Sequence, residues 1–266
     1  MTVFQAVLLG LIQGFTEFLP VSSSGHLVLF QRLFNVDLGG ADMLFDLTLH
    51  LGTLFAVCVA MRRQIVSLFR RPFRTLLWLI VATIPAAVVG LFLGDIIDSI
   101  FFGGAYLAMG FAATAALLAA AQVVSRRKKQ ALPLNFPRSL CMGLAQAVAV
   151  IPGISRSGAT VAAGMIAGAD GGQAADFSFL MSIPVILGGF IVTLYKTIRG
   201  GGMLFSGSAA HFGLCVALSV AASSVSGLVA IMAMKRSAAS GRYTPFIVYL
   251  CLLAIVCAGL KFCGLL

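Results

Sequence analysis

The chain contains one glutamate, Glu17, set in an apolar stretch four residues after Gln13. That spacing puts the amide and the carboxyl on one face of a helix. A carboxyl kept at membrane depth is expensive, so a functional role is its default reading. PVSSSGH follows, residues 20–26. Pro20 ends one helix, and Ser22, Ser23 and Ser24 stand where the next begins. Capping accounts for one of these hydroxyls. Three of them, with the permissive Gly25 and then His26, put a hydroxyl nucleophile, a flexible backbone and a proton-transfer group within one turn. Glu17, His26 and a hydroxyl among Ser22, Ser23 and Ser24 are therefore the expected catalytic groups, with Gln13 on the same face as Glu17 and the remaining serines as substrate contacts.

A second polar segment, PGISRSGAT at 152–160, supplies the complement. Arg156 is the basic residue set apart from every loop cluster, and it needs an anion. Its planar fork can hold two phosphate oxygens, while Ser155, Ser157, Thr160 and the backbone N–H groups opening the next helix add donors. A phosphate cradle facing a serine, a histidine and a carboxylate describes a phosphoryl-transfer site. The natural substrate is a lipid phosphate whose tail stays in the bilayer. The plainer alternative pairs Arg156 with Glu17 as a bridge between the two segments. Asp46 and His50, four residues apart, share a helix face and read chiefly as structural or proton-buffering, with lining of the site as the second option.

Composition says where such a site sits. Of 266 residues 60% are hydrophobic and 10% charged, with mean hydropathy +1.06, against about 25% charged in soluble domains. A water-soluble fold is excluded, and the expected class is an all-α polytopic membrane protein. Six segments are long enough to span the bilayer: about 43–61, 75–94, 101–124, 175–196, 211–234 and 245–265. Four others, roughly 3–19, 22–34, 138–151 and 158–169, are too short. They form two pairs, each broken at a proline-containing turn, which is the pattern of a re-entrant hairpin lining a cavity.

The net charge of +10 does not indicate nucleic acid, because 13 of the 18 Lys and Arg cluster in loops: Arg62 to Arg74, Arg126 to Arg138, and Lys235 to Arg242. These are positive-inside signals, and the surrounding partner is the lipid bilayer. They place 62–74, 125–138 and 235–243 in the cytoplasm, with Asp37, Asp42, Asp95 and Asp98 toward the outer face. The six cysteines lack CxxC or Cys/His spacing and read as small core residues. The N-terminus has no basic n-region, so a cleaved signal peptide is not expected. Trp78 and the tyrosines read as lipid-facing or interfacial anchors.

The two broken segments resemble each other. GLIQGFTEFLPVSSSG (10–25) and GLAQAVAVIPGISRSG (143–158) align at an offset of 133 at the glutamine, 132 at the proline and 133 at the final glycine. The expectation is one membrane domain over 1–266 built of two inverted-topology repeats, about 1–130 and 131–266, each a re-entrant helical hairpin plus three transmembrane helices. The hairpin tips then meet near the midplane.

QGFTEFLPVSSSGHL and IPGISRSGAT, with FDLTLHLGTLFAV after the first hairpin and DFSFLMSIP after the second, resemble the signature segments of the undecaprenyl-diphosphate phosphatases, the bacitracin-resistance family of bacterial inner membranes. The resemblance spans nearly the whole chain. It implies hydrolysis of undecaprenyl diphosphate to undecaprenyl phosphate and inorganic phosphate at the outer face, recycling the lipid carrier of peptidoglycan synthesis. It places the family's acidic motif on Gln13 and Glu17, its serine and histidine on Ser23 and His26, and its arginine motif on Ser155, Arg156, Ser157 and Thr160. It also implies a divalent cation, Mg2+ or Ca2+. Gln13 stands where many members have glutamate, leaving Glu17 as the protein's metal ligand and the substrate diphosphate as the cation's main holder. His50 stands where glutamine is common. The nucleophile stays open among Ser23, His26 and water, and so does pairing into a homodimer. The rival reading is a prenyl-phosphate flippase or organic-anion transporter, which needs Arg156 but gives no reason for the Ser/His/Glu group.

Overall fold

Polar caps and prolines set the helix ends. The computed structural model describes residues 1–36, 42–101, 106–127, 132–199, 209–264 and 266. The assigned elements are helices: α1 Val3–Phe18, α2 Ser23–Leu33, α3 Asp42–Ala60, α4 Arg62–Leu68, α5 Arg74–Phe101, α6 Leu107–Arg127, α7 Phe136–Val148, α8 Arg156–Ile166, α9 Gly171–Arg199, α10 Ala209–Ser240 and α11 Thr244–Phe262. Five of them, α5, α6, α9, α10 and α11, are long and apolar enough to cross a membrane, and the apolar helix α3, followed by α4 at a bend of 78°, brings the candidates to six. This is a multi-pass all-α membrane protein. Asp37 lies outside the described residues, as do 128–131 within the second basic cluster.

The two short-helix pairs form as the sequence anticipates. A capping box joining Thr2 and Gln5 opens α1, satisfying donors that the first turn leaves free. The chain breaks at Leu19–Ser22, where Ser22 takes φ +72°. It breaks again at Ala149–Ser155, where Gly153 takes φ +92°. Both second helices then open on the same device: Ser22 Oγ accepts from Gly25 N, and Ser155 Oγ accepts from Gly158 N.

Close backbone approach holds these short helices against long ones. α1 packs along α10, and α7 along α5; α3 meets α9, and α6 meets α11. A Cβ at Gly10 would collide with the Ser219 carbonyl of α10, and one at Gly143 with the Ala82 carbonyl of α5. Small residues allow this intimacy in a lipid setting, where packing and hydrogen bonds drive association. Along the α10 seam Ser223 Oγ donates to the Leu49 carbonyl of α3 at 2.9 Å. Phe18 meets Phe179 of α9 edge-on, with centroids 5.6 Å apart, a geometry worth about 0.5–1.5 kcal/mol beyond area burial. The outer surface is apolar, with Phe92, Ile191 and Ile255 exposed.

Two expectations need correcting. Residues 62–74, read as a loop, contain α4, bent 78° from α3; the apolar spacing of Ile65 and Leu68 gives this basic stretch one face to bury. Tyr243, read as an interfacial anchor, is fully buried, and its backbone N–H donates to Gln122.

Candidate active site

Glu17 occupies the last turn of α1, immediately before the break, and is 6% exposed. Its Oε2 accepts from Ser23 Oγ at 2.6 Å and from Gln13 Nε2 at 3.1 Å. Its Oε1 accepts from Arg156 Nη2 at 2.7 Å. One carboxylate thus joins α1 to the first residue of α2 and the first residue of α8. Breaking such a buried pair by removing one partner strands a charge, at about 3–5 kcal/mol.

The junction is braced from both sides. Ser157 Oγ donates across the hairpins to the Leu19 carbonyl at 2.8 Å. Ser155 N donates to Thr114 Oγ1 of α6 at 2.9 Å, and Ser155 and Ser157 hydroxyls lie 3.2 Å apart. Thr160 Oγ1 donates to the Arg156 carbonyl at 2.8 Å and lies 2.7 Å from Ser178 Oγ of α9. Ser155, Ser157 and Thr160 therefore hold the N-terminus of α8 in place, with their hydroxyls engaged. Ser22 caps α2, and Ser24 lies 3.5 Å from it; of the three consecutive serines, Ser23 is the one that donates to Glu17.

Two atoms of this cluster are left over. Arg156 Nη1 and Gln13 Oε1 are buried and have no hydrogen-bond partner among the described residues. An unmade bond of this kind costs about 1–3 kcal/mol, more for a charged group. A ligand carrying both acceptor oxygens and a donor would remove that cost, which makes the spot the candidate binding site.

The two histidines exchange places relative to expectation. His26 Nδ1 meets the Ser22 carbonyl at 2.7 Å, so this nitrogen carries the proton, and Nε2 lies 2.6 Å from the Tyr249 hydroxyl of α11. Its ring packs against Phe30, Phe111 and Tyr249. Both nitrogens are engaged with groups other than Glu17, Ser23 and Arg156. His50 comes closer: Nδ1 meets the Asp46 carbonyl at 2.7 Å, which leaves Nε2 as the basic nitrogen, 3.9 Å from Glu17 Oε2. Sequence reasoning gave His50 the lesser role because its spacing to Asp46 says nothing of what lies across the fold. Asp176 pairs with Lys235 at 2.9 Å, while Ser178 supports Thr160.

A protein-held divalent cation does not fit this donor set. Both Glu17 oxygens already accept from strong donors, one of them a guanidinium, and among the described residues no three His, Cys, Asp or Glu side chains converge. Ca2+ takes about six to eight oxygens, and Mg2+ relies on one or two carboxylates together with substrate phosphates, so Glu17 alone makes no all-protein site.

Comparison with known proteins gives a consistent answer. The family described as Bacitracin resistance protein BacA matches residues 6–256. A protein named Undecaprenyl-diphosphatase from Carboxydothermus hydrogenoformans is 36% identical over 265 residues, covering 99% of each chain. Proteins of that name from Rubrobacter xylanophilus and Methanobrevibacter smithii are each 38% identical, covering 96% and 87% of this chain and 97% and 87% of their own.

Proposed function

The chain belongs to the bacitracin resistance protein BacA family, and from that membership we propose that it is a membrane phosphatase hydrolysing undecaprenyl diphosphate to undecaprenyl phosphate and inorganic phosphate. The observation that carries the reading is the Ser23–Glu17–Arg156 chain of hydrogen bonds. A hydroxyl already donating to a carboxylate is a nucleophile paired with its base. An unpartnered guanidinium nitrogen beside it is a donor for developing negative charge.

In this mechanism Ser23 Oγ attacks the terminal phosphorus as its proton passes to Glu17. The Oγ–P bond forms and the bridging P–O bond breaks, releasing undecaprenyl phosphate. Water then attacks the phosphoserine, orthophosphate departs and Oγ regains a proton. Arg156 Nη1 donates to the transferred group's oxygens, while Gln13 Oε1, an acceptor, takes a hydrogen bond from the water that attacks the phosphoserine. His26 positions Ser23 by fixing the backbone at Ser22, and His50 Nε2 stands beside Glu17 as a second proton acceptor. A divalent cation, Mg2+ or Ca2+, would be held mainly by the diphosphate and would offset its charge. A carrier of prenyl phosphates would use Arg156 but would have no use for the Ser23–Glu17 hydrogen bond.

We read the hairpins and their following spans as inverted repeats, about 1–130 and 131–266; the shared serine caps and the matching partners of α1 and α7 support this. The protein is placed in the bacterial inner membrane with the site open to the outer face, supported by the basic clusters.

The test is phosphate release from undecaprenyl diphosphate by purified protein in detergent, beside rapid-quench trapping of a phosphoserine. Loss of both in Ser23→Ala, with the fold intact, supports the mechanism. Near-normal turnover in that variant removes Ser23 as nucleophile.

A further inference from the structure

Away from this site, a cleft of about 440 Å3 opens between α4, α5 and α9. Its lining is apolar and includes Leu68, Leu76, Ile84, Ala87, Pro184 and Leu187. Three features fix what it holds. First, α4 turns 78° away from α3, so with α3 crossing the bilayer α4 lies along the membrane surface. It turns Ile65 and Leu68 into the cleft and leaves Arg62 and Arg63 exposed, the arrangement of an interfacial helix. Second, Arg70, Arg71 and Arg74 follow at the same end and are exposed. Among the described residues none of the five arginines is in an ion pair, and no Asp or Glu occurs from 47 to 94. The mouth of the cleft is thus positive and sits at head-group level, while its walls are hydrocarbon.

Third, the length is that of a single leaflet. The lining residues on α5 run from Leu76 to Ala87, about 16 Å at 1.5 Å per residue. Half of a ~30 Å hydrocarbon core is about 15 Å. One acyl chain of a membrane phospholipid fills that depth, whereas an undecaprenyl chain overruns it.

We propose that the α4–α5–α9 cleft is a binding site for one anionic phospholipid, its acyl chain along α5 and its phosphate among Arg70, Arg71 and Arg74. Basic residues at a membrane surface each attract anionic lipid, and basic pockets between spans bind such head groups. The site is separate from the chemistry and does not depend on the proposed reaction.

The single tryptophan, Trp78, is on α5 but does not line the cleft, so the probe is a tryptophan placed on the cleft wall by Ile80→Trp in a Trp78→Phe background. Full-length Ile80→Trp/Trp78→Phe protein is placed in phosphatidylcholine vesicles containing phosphatidylglycerol with brominated acyl chains, and its tryptophan quenching is compared with that by brominated phosphatidylcholine. Phosphatidylglycerol is expected to be preferred about tenfold or more. Arg70→Gln/Arg71→Gln/Arg74→Gln should bring the two lipids within about twofold of each other. Ala87→Phe, which fills the cleft without touching the charges, should weaken quenching by both, and it serves if the triple variant does not fold. Equal quenching in the probe protein with its arginines intact overturns the proposal, as does an unchanged preference once the three arginines are replaced. Loss of phosphatidylglycerol quenching on adding equimolar undecaprenyl phosphate also overturns it, by assigning the cleft to prenyl chains.

Discussion

The His26 imidazole and the Tyr249 hydroxyl lie 2.6 Å apart and tie α2 to α11 across 223 positions of sequence. With Nδ1 given to the Ser22 carbonyl, Nε2 accepts the phenol's proton. Tyr249→Phe leaves that nitrogen buried and unpaired, at about 1–3 kcal/mol. The expected result is a lower unfolding temperature with turnover reduced less than tenfold. Measuring both on one preparation separates positioning from chemistry: a loss as deep as that of a Glu17 variant, without loss of stability, would make His26 a participant.

Ser23→Ala should lower phosphate release by about 10³-fold, within the span that proton-transfer and nucleophile pairs contribute. Ser22→Ala, which removes a cap, should act on stability by about 1 kcal/mol. Initial rates corrected for folded fraction distinguish the two neighbours.

Glu17 and Arg156 form a pair, so their single losses should not add. Glu17→Ala and Arg156→Ala are each expected to destabilise by about 3–5 kcal/mol, and the double variant by clearly less than their sum. Thermal unfolding of the four proteins in detergent closes the cycle. Additive losses would mean that the 2.7 Å contact contributes little.

Gln13→Glu places a second carboxylate against Glu17, where the amide now donates at 3.1 Å. Two adjacent carboxylates favour a bound cation. The ratio of activity with Mg2+ to activity in chelator should rise above that of the wild type, and an unchanged ratio would show that the diphosphate alone holds the ion.

Gly10→Ala should destabilise by about 1–3 kcal/mol, because its Cβ meets the Ser219 backbone and no rotamer relieves it. Gly90→Ala and Gly259→Ala meet nothing within 4 Å, so they are the controls. Similar unfolding temperatures for all three would remove close approach as the basis of the α1–α10 seam.

Much of the site was legible because its residues violate their surroundings. A single glutamate and an isolated arginine stand out in an apolar chain, and Pro20 and Pro152 announce the breaks that bring them together. What was not legible depends on how helices dock. His50 reaches Glu17 because Gly52 lets α3 close on Val220 and Ser223 of α10. His26 is drawn to α11 by a tyrosine from the far end of the chain. Helix α4 was masked by charge: the five arginines of 62–74, two of them on α4, read as loop, although Ile65 and Leu68 carry helical spacing. The serine and threonine hydroxyls of the second hairpin gave no sign that they would be spent on backbone bracing.

The Glu17–Arg156 contact spans 139 positions, and this separation sets an order on biogenesis. A ribosome that has released only the first half into the membrane has inserted the carboxylate without its cation. Until α8 arrives, that hairpin has neither its arginine nor the Ser157 tie to Leu19, so it cannot hold its final depth on its own. The nascent first half must wait, in the translocon or at the aqueous edge, for the second to be made. A chain truncated before Arg156 should therefore be a substrate for membrane quality control, cleared faster than one carrying a substitution in any outward-facing helix.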